Sequence, residues 1–234
     1  MTHAEGPHTA SGKTPPVINL CFHGVGEPQR PLEPDEHRYW VTEERFEELL
    51  GVAADHPNVH VTFDDGNASD LTIALTALQR HGLTAEFFVV AGRLDAPGSL
   101  SRAGVKVLAE AGMGIGSHGM HHRPWPSLGP ADLEVELRTA PEILADVTGQ
   151  RVGRAACPYG AYNRRVLTAL RRHGYDRIYT VDGGPAGTKG WLESRYTIRT
   201  EHTGAFLEHL VLDPSGSPSA AALRAVKGVI KRWR

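Results

Sequence analysis

The chain has 234 residues, 40% hydrophobic and 22% charged, with 25 basic and 27 acidic side chains and a net charge of −2. At roughly 150 residues per domain this is one large domain or two small ones with ample core material, and the charge balance gives no electrostatic reason to expect nucleic acid as a partner. Two cysteines exclude a disulfide scaffold and a Cys-rich zinc ribbon, and no apolar run approaches the roughly 18 residues of a membrane span.

Residues 1–16 are polar (His3, Glu5, His8, Ser11, Lys13) and read as a disordered lead-in without an apolar signal-peptide core, so the expected location is cytoplasmic. From 17 to 234 the chain reads as a single domain. Residues 17–22 form a predicted strand, and Phe46, Leu49 and Leu50 mark a helix over 42–54. The alternating, β-branched run 59–63 is a second strand. A helix over 69–81 follows, with Leu71, Leu75 and Leu78 on one face and Gly82 as its stop. The pattern then repeats: strand 85–90, a helix through Val105 and Leu108 ending at Gly112, strand 113–117, helix 131–147, strand 152–157, helix 163–173 ending at Gly174, and strand 177–181. A last strand over 195–200 and a last helix over 219–233 complete the chain. About seven strands alternating with helices predict an α/β fold, a distorted or incomplete (β/α) barrel of parallel strands, with an open doubly wound sheet as the runner-up. In both, the C-terminal strand ends line the active site.

Three motifs fall at such strand ends. Thr62-Phe63-Asp64-Asp65-Gly66 places two carboxylates side by side, where they repel unless a cation sits against one and leaves the other as a base. A helix cap at Asp65 is the plainer reading. Gly116-Ser117-His118-Gly119-Met120-His121-His122 contains a His-x3-His pair, and on one helical turn both imidazoles project from the same face. With thirteen histidines in the chain that spacing alone carries little. With Asp65 it makes one carboxylate and two imidazoles, the ligand set of a catalytic metal with open positions. His121 breaks the face and reads as a solvent-side or supporting group. The turn Cys157-Pro158-Tyr159-Gly160 can aim an N–H at a reacting oxygen, although an ordinary strand-to-helix turn explains it as well.

In order and spacing, Thr62 to Gly66, His118-x3-His122 and Pro158-Tyr159-Gly160 resemble the polysaccharide deacetylases, the NodB-homology group of carbohydrate esterase family four. Ala85-Glu86-Phe87-Phe88-Val89 and residues 113–118 resemble flanking strands of that family, and the resemblance covers about residues 58–182. It implies a distorted (β/α) barrel that hydrolyses acetyl groups from an N-acetylated carbohydrate. By motif, Asp64 would be the general base, and Asp65, His118 and His122 would bind one divalent metal ion, zinc first, with cobalt, nickel or manganese as alternatives. Tyr159 would supply a backbone N–H to the oxyanion.

The chain departs from this pattern in two places. The family's third motif often reads Arg-Pro-Pro-Tyr, its Arg orienting the base, but Ala156 stands at that position. Arg195 and Arg199 are the candidates to replace it, with Arg195 preferred and a plain surface Arg as the alternative. The family's Leu-x-His, which protonates the leaving amine, has no match; His23 and His202, at strand ends, outrank His209 for that role. Trp191 or Trp125 would fill the family's Trp position. Cys21 and Cys157 read as buried thiols. These departures keep two other readings open: an amidase acting on a non-sugar C–N bond, and a catalytically impaired carbohydrate-binding relative. The tail from Arg224 to Arg234 is basic with an apolar stripe; a solvated helix face is the plainer reading, contact with a membrane surface or partner the alternative.

Overall fold

The predicted strands assemble into one parallel sheet in the computed structural model, which describes residues 15–186 and 190–233. Most of the expected disordered stretch 1–16 therefore lies outside the described residues. The strands are β1 (Ile18–Phe22), β2 (Gly24–Val25), β3 (Trp40–Val41), β4 (Val59–Phe63), β5 (Ala85–Val89), β6 (Gly114–Ser117), β7 (Arg154–Ala156), β8 (Arg177–Thr180), β9 (Leu192–Ser194) and β10 (Tyr196–Thr197). Eight of them run in the order β10-β1-β4-β5-β6-β7-β8-β9, while β2 and β3 form a separate pair. The order never reverses, so the sheet has no switch point, which excludes the doubly wound alternative.

The last predicted strand, 195–200, is corrected. The chain pairs with β8 as β9, breaks at Arg195, and pairs with β1 as β10, with Leu20 opposite Tyr196 and Thr180 opposite Ser194. One broken strand thus joins both edges and nearly closes the barrel. The strand count is eight because this stave is counted in two halves.

Helices alternate with the strands: α1 (Glu43–Ala54), α2 (Leu75–Arg80), α3 (Arg102–Glu110), α4 (Pro130–Glu134), α5 (Ala140–Thr148), α6 (Arg164–Arg172), α7 (Gly204–Leu212) and α8 (Pro218–Trp233). Their starts are set by side chains that satisfy free N–H groups: Thr42 accepts from Arg45 N, Ser101 from Gly104 N, Asn163 from Val166 N. Two predicted helices contain π-helical turns, at Asp70–Ala74 before α2 and at Val135–Thr139 between α4 and α5. Neither π turns, nor α7, nor the β2–β3 pair is marked by the sequence periodicity.

The outward strand faces meet the helices in the main core. On β4 the alternation places Val59, Val61 and Phe63 there. Phe63 stacks on Phe87 (4.7 Å between centroids) and on Phe22 (5.5 Å), and Phe46 of α1 meets Phe22 and Phe63 edge-on at 5.2 and 5.8 Å. All four rings are fully buried, each contributing about 1.5–3 kcal/mol of transfer free energy. The inward residues are more polar: Asn19 donates to Glu193 (3.0 Å), Arg177 pairs with Glu193 (3.2 Å), and Arg195 reaches Thr62 Oγ1 (3.1 Å). This polar interior is the floor of the site.

Candidate active site

At the C-terminal strand ends a cavity of about 290 Å³ is bordered by His23, Asp64, Asp65, His118, His122 and Tyr159. Four different strands deliver these residues, which explains why they are scattered in sequence. Asp64 continues β4, its N–H donating to Phe22 O at 2.9 Å. Asp65 follows in the left-handed region (φ 76°), as does Gly66 (φ 72°), so the chain turns at once. Neighbouring strand residues would otherwise point to opposite sides; this turn brings both carboxylates to one cavity.

Arg195, at the break between β9 and β10, has no exposed surface. Its Nη1 donates to Asp64 Oδ1 (2.6 Å) and Thr62 Oγ1 (3.1 Å), its Nη2 to Asp64 Oδ2 (2.7 Å), and its Nε to Thr180 O (3.3 Å). The guanidinium also lies against the rings of Phe88 and Tyr179, 5.2 and 5.8 Å from their centroids. A buried guanidinium needs such a set of acceptors. Arg199 lies elsewhere, near-surface, 3.8 Å from Glu201. Burial pushes the Asp64 carboxyl up, but the Arg195 guanidinium and then His118 outweigh it and hold it well below the usual carboxylate range.

Asp65 Oδ1 is buried and has no hydrogen-bond partner. His122 Nε2 stands 3.2 Å from it and His118 Nε2 3.7 Å, and the three ligand atoms lie within 4.8 Å of one another. His118 Nδ1 is 2.9 Å from Ala156 O, an arrangement that places the proton on Nδ1 and leaves Nε2 as a lone-pair donor. Burial lowers the His122 pKa to about 4 despite the nearby Asp65, so its ring is neutral at pH 7. An orphaned carboxylate oxygen facing two imidazole Nε2 atoms fits a divalent cation. A second group, Cys21, His23 and Asp64, also brings ligand-type atoms within 4.8 Å. It is a poorer cation site: Asp64 is committed to Arg195, and burial raises the Cys21 thiol well above its usual range.

The expected helical turn over 118–122 is corrected: this segment is a loop, with Gly119 at φ 80° and His122 at φ 53°. The loop is held by Glu136, almost fully buried in the π-helical turn, which accepts from Met120 N (2.6 Å) and His121 N (3.2 Å). A Cβ on Gly119 would stand 2.2 Å from Glu136 Oε2, so this glycine is required by close approach as well as by its φ. His121 Nδ1 lies 3.2 Å from Glu136, and more than half of its side chain is exposed. Trp125 Nε1 also donates to Glu136 (3.4 Å), whereas Trp191 bonds Tyr175 O (2.8 Å); neither borders the cavity.

Tyr159 occupies the left-handed region (φ 56°, ψ 16°) of the Pro158–Gly160 turn, its ring 4.5 Å from that of His122. Its hydroxyl donates to Glu33 (3.2 Å), which also pairs with Arg93 (2.9 Å), so residues near 33 border the cavity. No motif or periodicity marks Glu33, Arg93 or Glu136 as site residues. Of the three acid candidates, only His23 is in the cavity; it stacks on Tyr39 (5.0 Å), and its buried Nδ1 has no partner. His202 stacks on Phe206 and His209 is exposed on α7. Cys21 and Cys157 are free buried thiols, the second pushed up to about 12 by burial.

The parallel barrel thus brings a carboxylate–imidazole cluster of metal-ligand type and a guanidinium-fixed carboxylate into one cavity. Residues 51–178 match the model of the polysaccharide deacetylase family, more than half of the chain, and the chain belongs to that family. It is 25% identical over 141 residues to YxkH of Bacillus subtilis (strain 168), itself assigned by name to the polysaccharide deacetylases, covering 60% of this chain and 50% of that one. The chain thus spans about half the length of this curated relative. Among solved structures, the fold is shared with the deacetylase PplD of Streptococcus pyogenes, described in complex with acetate (TM-score 0.72, 19% identity, 83% of this chain and 97% of that one). It is also shared with BC0361, a polysaccharide deacetylase from Bacillus cereus (TM-score 0.74, 21% identity, 84% and 69%).

Proposed function

We propose that the chain is a metal-dependent hydrolase that removes acetyl groups from an N-acetylated sugar or glycoconjugate. The observation that carries this reading is the joint placement of the Asp65–His118–His122 cluster and the Arg195-bound Asp64 in one cavity of a family member. Two imidazoles and a carboxylate suit zinc best, with cobalt, nickel or manganese as alternatives. When bound, such a cation supplies Lewis-acid polarisation of the amide carbonyl and a water of lowered pKa.

The protein's own residues do the rest. Hydrolysis adds water across the C–N bond: the oxygen joins the acyl carbon, and one proton must leave it. Asp64 is charged at neutral pH and held at one angle by two bonds from Arg195, and its Oδ2 faces His118 Nε2 at 3.8 Å, beside the cation position. This oxygen takes the proton. The Tyr159 N–H donates to the developing oxyanion, a contribution of about 2.7–4 kcal/mol where such donors have been removed. The leaving nitrogen gains a proton from His23, on the cavity wall formed by β1. The products are acetate and a free amine.

The test is acetate release from a panel of N-acetylglucosamine oligomers and small N-acetylated glycoconjugates, with chelated protein reconstituted with each of the four metals. Release with at least one metal and none after chelation is the expected result. A protein that binds a metal yet frees no acetate from any member of the panel would refute the reading.

A further inference from the structure

The C-terminal helix α8 packs on the barrel with its polar side. Its partly buried residues are Ala221, Arg224, Gly228 and Lys231, spaced three or four apart along one stripe. Arg224 lies against Gly183 and Gly184 and donates to Ser215 O. Lys231 Nζ donates to Asp182 Oδ1 (2.5 Å) and to Gly160 O (3.1 Å), beside Tyr159. The opposite side is apolar and faces solvent: Leu223 and Val226 are 55% exposed, Val229 52% and Ile230 48%. This inverts the usual arrangement of a surface helix, whose apolar stripe turns inward.

In sequence, the segment that carries the stripe has charge of one sign. After Asp213 the sequence contains no acidic residue, but five basic ones, Arg224, Lys227, Lys231, Arg232 and Arg234, and Trp233 stands between two of the arginines. An exposed aliphatic stripe in a segment whose sequence carries only basic charge matches an interface of hydrocarbon below and anionic headgroups above. A protein partner of mixed charge would leave this one-signed charge unanswered. We infer that α8 is a docking element for an anionic phospholipid surface and holds the cavity mouth, one hydrogen bond away at Gly160, beside that surface.

The experiment is co-sedimentation of the full chain with vesicles of phosphatidylcholine alone and of phosphatidylcholine mixed with phosphatidylglycerol. The expected result is pelleting with the mixed vesicles only, weakening as salt is raised. The double variant Val226→Asp with Ile230→Asp should bind them at least about tenfold more weakly. Circular dichroism and hydrolysis of a soluble N-acetylated sugar should be unchanged, because neither residue touches the cavity. Sedimentation requires no turnover, so it tests the helix independently of the proposed reaction. Three outcomes overturn the inference: a wild-type chain that stays in solution, binding that ignores phosphatidylglycerol, or a double variant that binds as well as wild type. A wild-type dimer that the double variant abolishes would assign the face to a second copy instead, and would equally overturn it.

Discussion

Replacing Arg195 with Met keeps the stem volume and removes the guanidinium. Four hydrogen bonds disappear, two of them to the buried Asp64 carboxylate, which is left without its counter-charge. Breaking one side of such a pair costs about 3–5 kcal/mol, a large part of a typical total of about 5–15 kcal/mol. At about 2–4 °C per kcal/mol for a chain of this size, Tm should fall by roughly 6–20 °C. The pH dependence carries the sign. In the wild type the folded Asp64 carboxyl lies below its unfolded value of about 3.9, so its stabilisation is complete above that pH and is lost as pH falls through the folded value. In Arg195→Met the burial that raises this carboxyl no longer meets the guanidinium. The folded variant then takes up the proton before the unfolded chain does, and acid stabilises it. The stability gap between the two proteins should therefore narrow between pH 7 and pH 5. Urea unfolding of chelator-treated protein at both pH values measures it. The double variant Asp64→Asn with Arg195→Met should be more stable than the two single effects predict, by about 0.5–3 kcal/mol. A gap that does not change with pH, or strictly additive variants, would refute the reasoning.

His118→Ala should abolish binding of one zinc equivalent in isothermal titration, whereas full occupancy of this variant would remove His118 from the ligand set. Chelation of the wild type should lower Tm by only a few degrees, since the aromatic core around Phe63 lies on the outer face of the sheet; differential scanning calorimetry measures this. Glu136→Gln keeps the side-chain shape but weakens its hold on Met120 N and His121 N; metal affinity should fall about 10–100-fold in the same titration, and stability by about 1–2 kcal/mol in urea.

The strands were legible because each is an apolar run that ends in Gly-rich or polar turns, and the barrel followed from their regular alternation with helices. Arg195 could be proposed because Ala156 leaves Asp64 without the family's guanidinium, and the structure brings Arg195 and not Arg199 to it. What could not be read is set by backbone dihedrals and by long-range packing. Asp65 and His122 adopt positive φ, which no periodicity marks, so the His118–His122 segment looked helical. Glu136 sits in the middle of an amphipathic run, where an acidic residue reads as solvent-facing; only a π-helical turn and the fold of a distant loop bury it. His23 could not be separated from His202 until the neighbouring strands were placed. The break at Arg195 depends on both edges of the sheet meeting, a property of closure and not of local sequence.

The proposed reaction depends most heavily on Asp64 as the base beside a cation held by three other residues. Asp64→Asn retains the shape of the side chain and one acceptor for Arg195, and it leaves Asp65, His118 and His122 in place. The decisive measurement is acetate release by this variant from an N-acetylglucosamine oligomer cleaved by the wild type, with bound metal quantified in the same sample. Full metal occupancy and a rate about 10²–10⁴-fold lower are expected. Release within about tenfold of the wild type at full occupancy would contradict this role of Asp64, because the loss of a general base costs at least about 10²-fold.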